Sequence, residues 1–127
     1  DVDHFKKYND IYGHQAGDDL LVAVSKVLKQ SLRRSGDHCF RLGGEAFGIV
    51  FNTDDKPSQY PSQASKKNIE SLFIPHKTNT ASEYVTVSMR LVTEQDYKMN
   101  DLSRIHKEAV ELLYKSKENG GNLLSYN

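Results

Sequence analysis

"RLGGEAFGIVF", Arg41–Phe51, sets two short strand-like runs around a Gly-Gly-Glu-Ala connection. Glycine adopts the backbone angles that a hairpin tip demands. The stretch therefore predicts an antiparallel hairpin, "HCFRL" against "FGIVF", with Glu45 held out toward a ligand. The next residue is Ala46, a methyl group where a second polar side chain would be expected. Taken alone, the plainer reading of this tip is a turn with an exposed glutamate.

Working outward, "DVDHF" reads as a strand end and "KKYNDIYG" as a short helix stopped by Gly13. In "DDLLVAVSKVLKQSLRR", Leu20, Leu21, Val24, Val27, Leu28 and Leu32 form one apolar stripe at helical spacing, and Gly36 of "RSGD" reads as its stop. Beyond the hairpin come a polar loop, "NTDDKPSQYP", a helix, "SQASKKNIESLF", and a second loop, "IPHKTNTASE". "YVTVSMRLV" is rich in β-branched residues and predicts a strand. "NDLSRIHKEAVELLYKSKENGG" predicts a helix with Leu102, Ile105, Ala109, Leu112 and Leu113 on its apolar stripe, ended by Gly120 and Gly121. "NLLSY" is a last short strand. The order β, α, α, hairpin, α, β, α, β predicts an α+β fold, a mostly antiparallel sheet packed against helices.

The 127 residues suit one domain, residues 1–127, around one core. With 17 Lys+Arg against 17 Asp+Glu, nothing favours nonspecific binding to nucleic acid or an anionic membrane. The single cysteine, Cys39, leaves no intramolecular disulfide and fits a reducing compartment. No apolar run reaches the roughly 18 residues a membrane span needs. The five histidines, His4, His14, His38, His76 and His106, lack metal-ligand spacing, and most read as surface or turn residues. The chain opens on its most chemically loaded motif. The expectation is a cytoplasmic domain that has lost an upstream part, with a sensor and even a membrane segment among the losses.

Four stretches carry the candidate chemistry. In "DVD", Asp1 and Asp3 are placed on opposite faces of a strand end, so that one of them faces a site. A carboxylate there suits Mg²⁺, which takes oxygen ligands and often uses one or two carboxylates plus substrate phosphates. "HFKK" follows at a helix start, where free N–H groups cradle phosphate and Lys6 adds a point charge. The alternative is an acidic strand end with a solvated helix start. In "RSGD", Arg34 and Asp37 are either a solvated pair or a fork for phosphate or a guanine edge. Lys115 and Lys117 complement the dipole of a helix end, or Lys117 reaches a triphosphate.

Together these residues resemble the GGDEF family, the diguanylate cyclases. "DVDHFKKYNDIYGHQAGDDLL" follows that family's D-x-D-x-F-K-x-x-N-D-x-x-G-H-x-x-G-D-x-x-L, "RLGGEAF" stands at its signature hairpin, and "YVTVS" and "LLYKSKENGGN" match its later strand and final helix. The family's first helix and the start of its first strand are absent. The resemblance implies a cyclase-like palm fold and a homodimer that condenses two GTP to cyclic di-GMP with Mg²⁺ or Mn²⁺. It implies metal ligation by Asp1, the Val2 carbonyl and Glu45, with Glu45 and Lys6 also catalytic. It implies phosphate binding by the His4 and Phe5 amides, Lys6 and Lys117, and guanine reading by Asn9 and Asp18. "RSGD" stands where the family places an inhibitory cyclic di-GMP site, and the resemblance implies that role for Arg34 and Asp37 beside the solvated-pair alternative.

Four positions depart from the family. Ala46 replaces the second acid of the signature, Gly121 an arginine, Arg90 a glycine and Val110 an aspartate. Losing a positioned acid or base typically costs about 10²–10⁴-fold in rate. The expectation is therefore a nucleotide-binding domain with impaired turnover. The alternatives are a binding module that regulates an attached domain, and a purely structural dimerisation domain. The polar spacing of "NDIYGHQAGDD" argues against the last.

Overall fold

Helical periodicity at the start of the chain produces two consecutive helices, α1 (Phe5–Tyr12) and α2 (His14–Gln30), hinged at Gly13. The structure is a computed structural model and describes residues 1–51, 56, 59–92, 107, 110, 111, 114 and 117–126. The stripe on α2 does what its spacing requires: Leu20, Leu21, Val24, Val27 and Leu28 are all buried. Burying each such side chain contributes about 1.5–3 kcal/mol. The helix ends before the sequence suggests, however. Ser31 caps it and returns its hydroxyl to the Val27 carbonyl at 2.9 Å. Arg34, Gly36 and Asp37 follow in a separate turn, and Leu32 lies beyond the helix.

The hairpin forms as β1 (His38–Gly43) and β2 (Ala46–Val50), antiparallel, with Cys39 opposite Ile49 and Gly43 opposite Ala46. Its two-residue tip is Gly44–Glu45. Gly44 has φ 50°, and its carbonyl is gripped by Arg41 through Nε at 2.9 Å and Nη2 at 2.7 Å. Helix α3 (Pro61–Glu70) packs Ile69 into the core and starts with proline in its first turn, as helices tolerate.

"YVTVSMRLV" is not one long ladder. Tyr84 bridges Pro75, Val87 bridges Val2 in antiparallel sense, and only Met89–Leu91 forms a strand, β3, parallel to β4 (Leu124–Tyr126). "DVDHF" accordingly contributes a bridge rather than a strand. Residues 107, 110, 111, 114, 117 and 118 are helical; Leu102, Ile105, Ala109, Leu112, Leu113, Lys115 and His106 lie outside the described residues. The architecture is α+β, with helices packed on small, chiefly antiparallel pairings, and its core joins Val2, Val85 and Val87 to α2 and Ile69. Among the described residues no helix is long and apolar enough to cross a membrane.

Candidate nucleotide and metal site

Residues 1–3 run antiparallel to 86–88. Ser88 N–H donates to the Asp1 carbonyl and Asp3 N–H to the Thr86 carbonyl, both at 3.0 Å. Residues two apart in such a segment share a face, and Asp1 and Asp3 do so here, which corrects the opposite-face expectation. Both carboxylates meet the end of the final helix. Asp1 takes the ammonium of Lys117, whereas Asp3 accepts the Asn122 N–H at 2.7 Å.

Their environments are nevertheless different. Asp3 is 2 % exposed, and it also accepts hydroxyls from Thr86 at 2.8 Å and Ser88 at 2.7 Å. Its oxygens are spent on structure. Asp1 remains half-buried beside the hairpin tip. The Val2 N–H donates to the Glu45 carbonyl at 3.3 Å, which docks the tip onto the chain start.

That docking gathers three oxygens around one cation. Lys117 Nζ donates to the Asp1 carboxylate and to the Val2 carbonyl at 3.2 Å, and lies 3.9 Å from Glu45 Oε1. Burial pulls the Lys117 ammonium below the ordinary lysine value, while Glu45 and Asp3 hold it up. Two carboxylates and a backbone carbonyl are donors that hard divalent cations accept, and here the ammonium lies among them. Among the described residues no three His, Cys, Asp or Glu side chains form a metal cluster, so an ion here would need this carbonyl and further oxygens from substrate or water.

Beside the oxygens, α1 begins at His4, which caps it in the left-handed conformation, φ 53° and ψ 38°. The N–H groups of a helix's first turn have no partner within the helix, and Lys6 projects exposed from that turn. His76 underpins it. The ring is fully buried, an exception among histidines that mostly read as surface or turn residues, and its Nε2–H donates to the His4 carbonyl at 3.2 Å. Burial lowers the His76 pKa, opposed by that bond. The signal for His76 was absent from sequence spacing. Thr86 and Ser88, by contrast, announce themselves as alternate hydroxyls in "TVS".

Asn9 faces Gly17, where α1 and α2 lie so close that a Cβ at Gly17 would overlap the Asn9 amide. Asn9 Oδ1 is buried without a partner, and Asp18, next in sequence to Gly17, is exposed. These two therefore share one corner. Arg34 and Asp37 lie together elsewhere: Arg34 N–H donates to Asp37 Oδ2 at 3.2 Å, and both line an open groove of about 800 Å³ with Arg33, Tyr60, Lys66 and Lys67. Ala46 opens β2 directly after Glu45. Gly121 has φ 74°, and a Cβ there would lie 3.0 Å from Asp3 Cγ. Arg90 lies half-buried on β3 with its Nε unpartnered, and Val110 is exposed on the final helix.

Residues 1–123 match the family described as "Diguanylate cyclase, GGDEF domain". The chain is 32% identical over 123 residues to the probable diguanylate cyclase DgcT of Escherichia coli, and 34% identical over 123 residues to diguanylate cyclase A of Treponema denticola. It covers 96% of itself in both matches but only 27% and 32% of those relatives. Among solved structures, the active GGEEF domain of a Vibrio cholerae diguanylate cyclase superposes with a TM-score of 0.68 at 27% identity, over 99% of this chain and 78% of that one. The coiled coil and GGDEF domain of DgcB from Caulobacter crescentus, in complex with c-di-GMP, shares the fold with a TM-score of 0.74 at 23% identity, over 100% of this chain and 66% of that one.

Proposed function

Since the chain belongs to the GGDEF diguanylate cyclase family, we propose that it is a single domain that binds GTP with Mg²⁺ or Mn²⁺ and turns it over slowly to cyclic di-GMP. The observation that carries this is the convergence of Asp1, the Val2 carbonyl and Glu45 on one cation beside the start of α1. When bound there, a divalent ion stabilises charge on the attacking and leaving oxygens.

The chain's own groups do the rest. The His4 and Phe5 amides and the Lys6 ammonium hold phosphates, and Lys117 reaches the terminal ones. Asn9 and Asp18 read guanine: a carboxylate accepts from the ring N–H and amino group, and an amide both donates and accepts. In a homodimer, the 3′-oxygen of each GTP bonds to the α-phosphorus of the other as the bond to pyrophosphate breaks. Each 3′-hydroxyl must also lose its proton. A carboxylate at position 46 would orient or accept it; the Ala46 methyl does neither. That deficit is worth about 10²–10⁴ in rate, or roughly 3–5 kcal/mol of barrier.

A second reading, a regulatory module that binds nucleotide without turnover, is favoured by Ala46 together with the groove at Arg34 and Asp37, which would take cyclic di-GMP. Incubation of the intact protein with GTP and Mg²⁺, followed by chromatography, separates the two. Slow accumulation of cyclic di-GMP is the expected result. Product at the rate of an intact family member would overturn the impairment, and none after prolonged incubation would leave the regulatory reading.

A further inference from the structure

We infer that Lys117 is a tethered cation that closes the metal position when no metal is bound and yields it when metal and nucleotide arrive. The inference rests on the metal-binding reading above and adds a regulation of that same site. Its basis is the identity of Lys117's partners. The three oxygens assigned to the metal are the three that surround the ammonium, through hydrogen bonds to Asp1 and Val2 and a 3.9 Å approach to Glu45. The Lys117 and Asp1 side chains are only 29% and 16% exposed, so neither charge is simply solvated.

The electrostatics give the ammonium a reason to be there. Two carboxylates and a carbonyl drawn together without a cation repel one another in a partly desolvated setting. An ammonium is a compact positive charge with three donors on a flexible stem; Asp1 and Val2 accept from it and Glu45 lies 3.9 Å away. A divalent ion on the same oxygens would expel it by like-charge repulsion. The stem then carries it to the nearest available anion, and a polyphosphate held at the α1 amides is such a group. The ammonium cannot occupy both places. Nucleotide therefore tightens metal binding twice, by supplying phosphate oxygens and by drawing off the internal competitor. Metal tightens nucleotide binding by the same factor.

Mn²⁺ binding to the intact protein without nucleotide tests this, followed by electron paramagnetic resonance of the free ion in wild type and Lys117→Met, with folding checked by circular dichroism. An occupant that fills the site most of the time weakens apparent affinity by the open fraction. The variant is therefore expected to bind Mn²⁺ about tenfold more tightly or better. The gain should persist in about 1 M salt, where the Debye length of about 3 Å screens separated charges but not contacts. Equal or weaker binding by the variant, or a gain that vanishes in salt, overturns the tethered-cation role while leaving the metal site standing. No Mn²⁺ binding by either protein, with or without GTP, overturns the metal-binding reading itself. Should the variant fail to fold, the wild-type Lys117 Nζ resonance decides, assigned through Lys117→Arg. It should be protected without metal and lose protection at saturating Mg²⁺; indifference to Mg²⁺ overturns the inference.

Discussion

Replacing Asp3 with asparagine should lower stability strongly while leaving the Asp1, Val2 and Glu45 oxygens in place. Asp3 is 2 % exposed and accepts three hydrogen bonds, from Thr86 Oγ1 at 2.8 Å, Ser88 Oγ at 2.7 Å and Asn122 N at 2.7 Å. The amide retains one acceptor oxygen. Two of the donors, Thr86 and Asn122, share Oδ2, so the amide oxygen belongs there and its NH₂ faces Ser88. The Ser88 hydroxyl can then turn and accept. What is lost is the charge assistance in all three bonds, and hydrogen bonds to charged groups contribute about 1.5–3 kcal/mol each against about 1 for neutral ones. The three differences sum to roughly 1.5–6 kcal/mol, and because the bonds share one group they fall short of additivity. A loss of about 2–3 kcal/mol is expected, a large share of the 5–15 kcal/mol typical of a domain. Urea denaturation at neutral pH measures it as a lower midpoint at unchanged slope. Asp1→Asn, in the same assay, should cost about 1 kcal/mol or less because Asp1 makes one partly exposed ion pair. A change below about 0.5 kcal/mol for Asp3→Asn, or a larger loss for Asp1→Asn, would refute the division of the two carboxylates into structural and site roles.

Three further outcomes follow from other parts of the molecule. Ala46→Glu should raise cyclic di-GMP production from GTP by about 10²-fold or more if the missing acid is the main defect; no gain, by chromatography, would move the defect elsewhere. Arg34→Ala should weaken cyclic di-GMP binding in calorimetry by about tenfold or more, since a charge-assisted contact contributes about 1.5–3 kcal/mol, and unchanged affinity would remove Arg34 from that site. Burial pushes the folded His76 pKa below the unfolded value of about 6.5, opposed by its bond to the His4 carbonyl. The unfolded chain therefore binds more protons in this window, and stability present above about pH 6.5 is lost as pH falls. Denaturation midpoints across that range should drop in wild type and flatten in His76→Gln, and equal slopes would show that His76 contributes nothing.

Much of the fold was legible because its elements carry their own periodicity. The α2 stripe and the glycine-tipped hairpin each follow from side chains on the element itself. The middle of the chain was harder for a physical reason. Residues 84–91 look like one strand, yet they serve three partners in turn: Pro75, then Val2, then β4, the last in parallel sense. β-branched residues record that a backbone is extended and covered. They do not record how often it changes neighbours. The end of α2 shows the same limit, because Gly36 was a plausible stop but Ser31 satisfied the carbonyls a full turn earlier.

The candidate site divides in the same way. Oxygen-bearing residues were found by type and spacing, but what each carboxylate does was set by the opposing chain. Asp3 is claimed by Thr86 and Ser88, which leaves Asp1 for the cation. Gly121 is the instructive case. By resemblance to the family it stands where an arginine would contact phosphate. In the fold it has φ 74°, and any Cβ would press to within about 3.1 Å of a carboxylate already fixed by three hydrogen bonds. A side chain there incurs about 1–2 kcal/mol for the left-handed backbone, and Asp3 cannot move aside without releasing its donors. The two departures are therefore unequal. Ala46 opens β2 opposite Gly43 with an ordinary extended backbone, so a longer side chain there meets no such backbone cost. Gly121 is built into the packing around Asp3, and an arginine there would disturb the network that holds Asp3 beside Asp1.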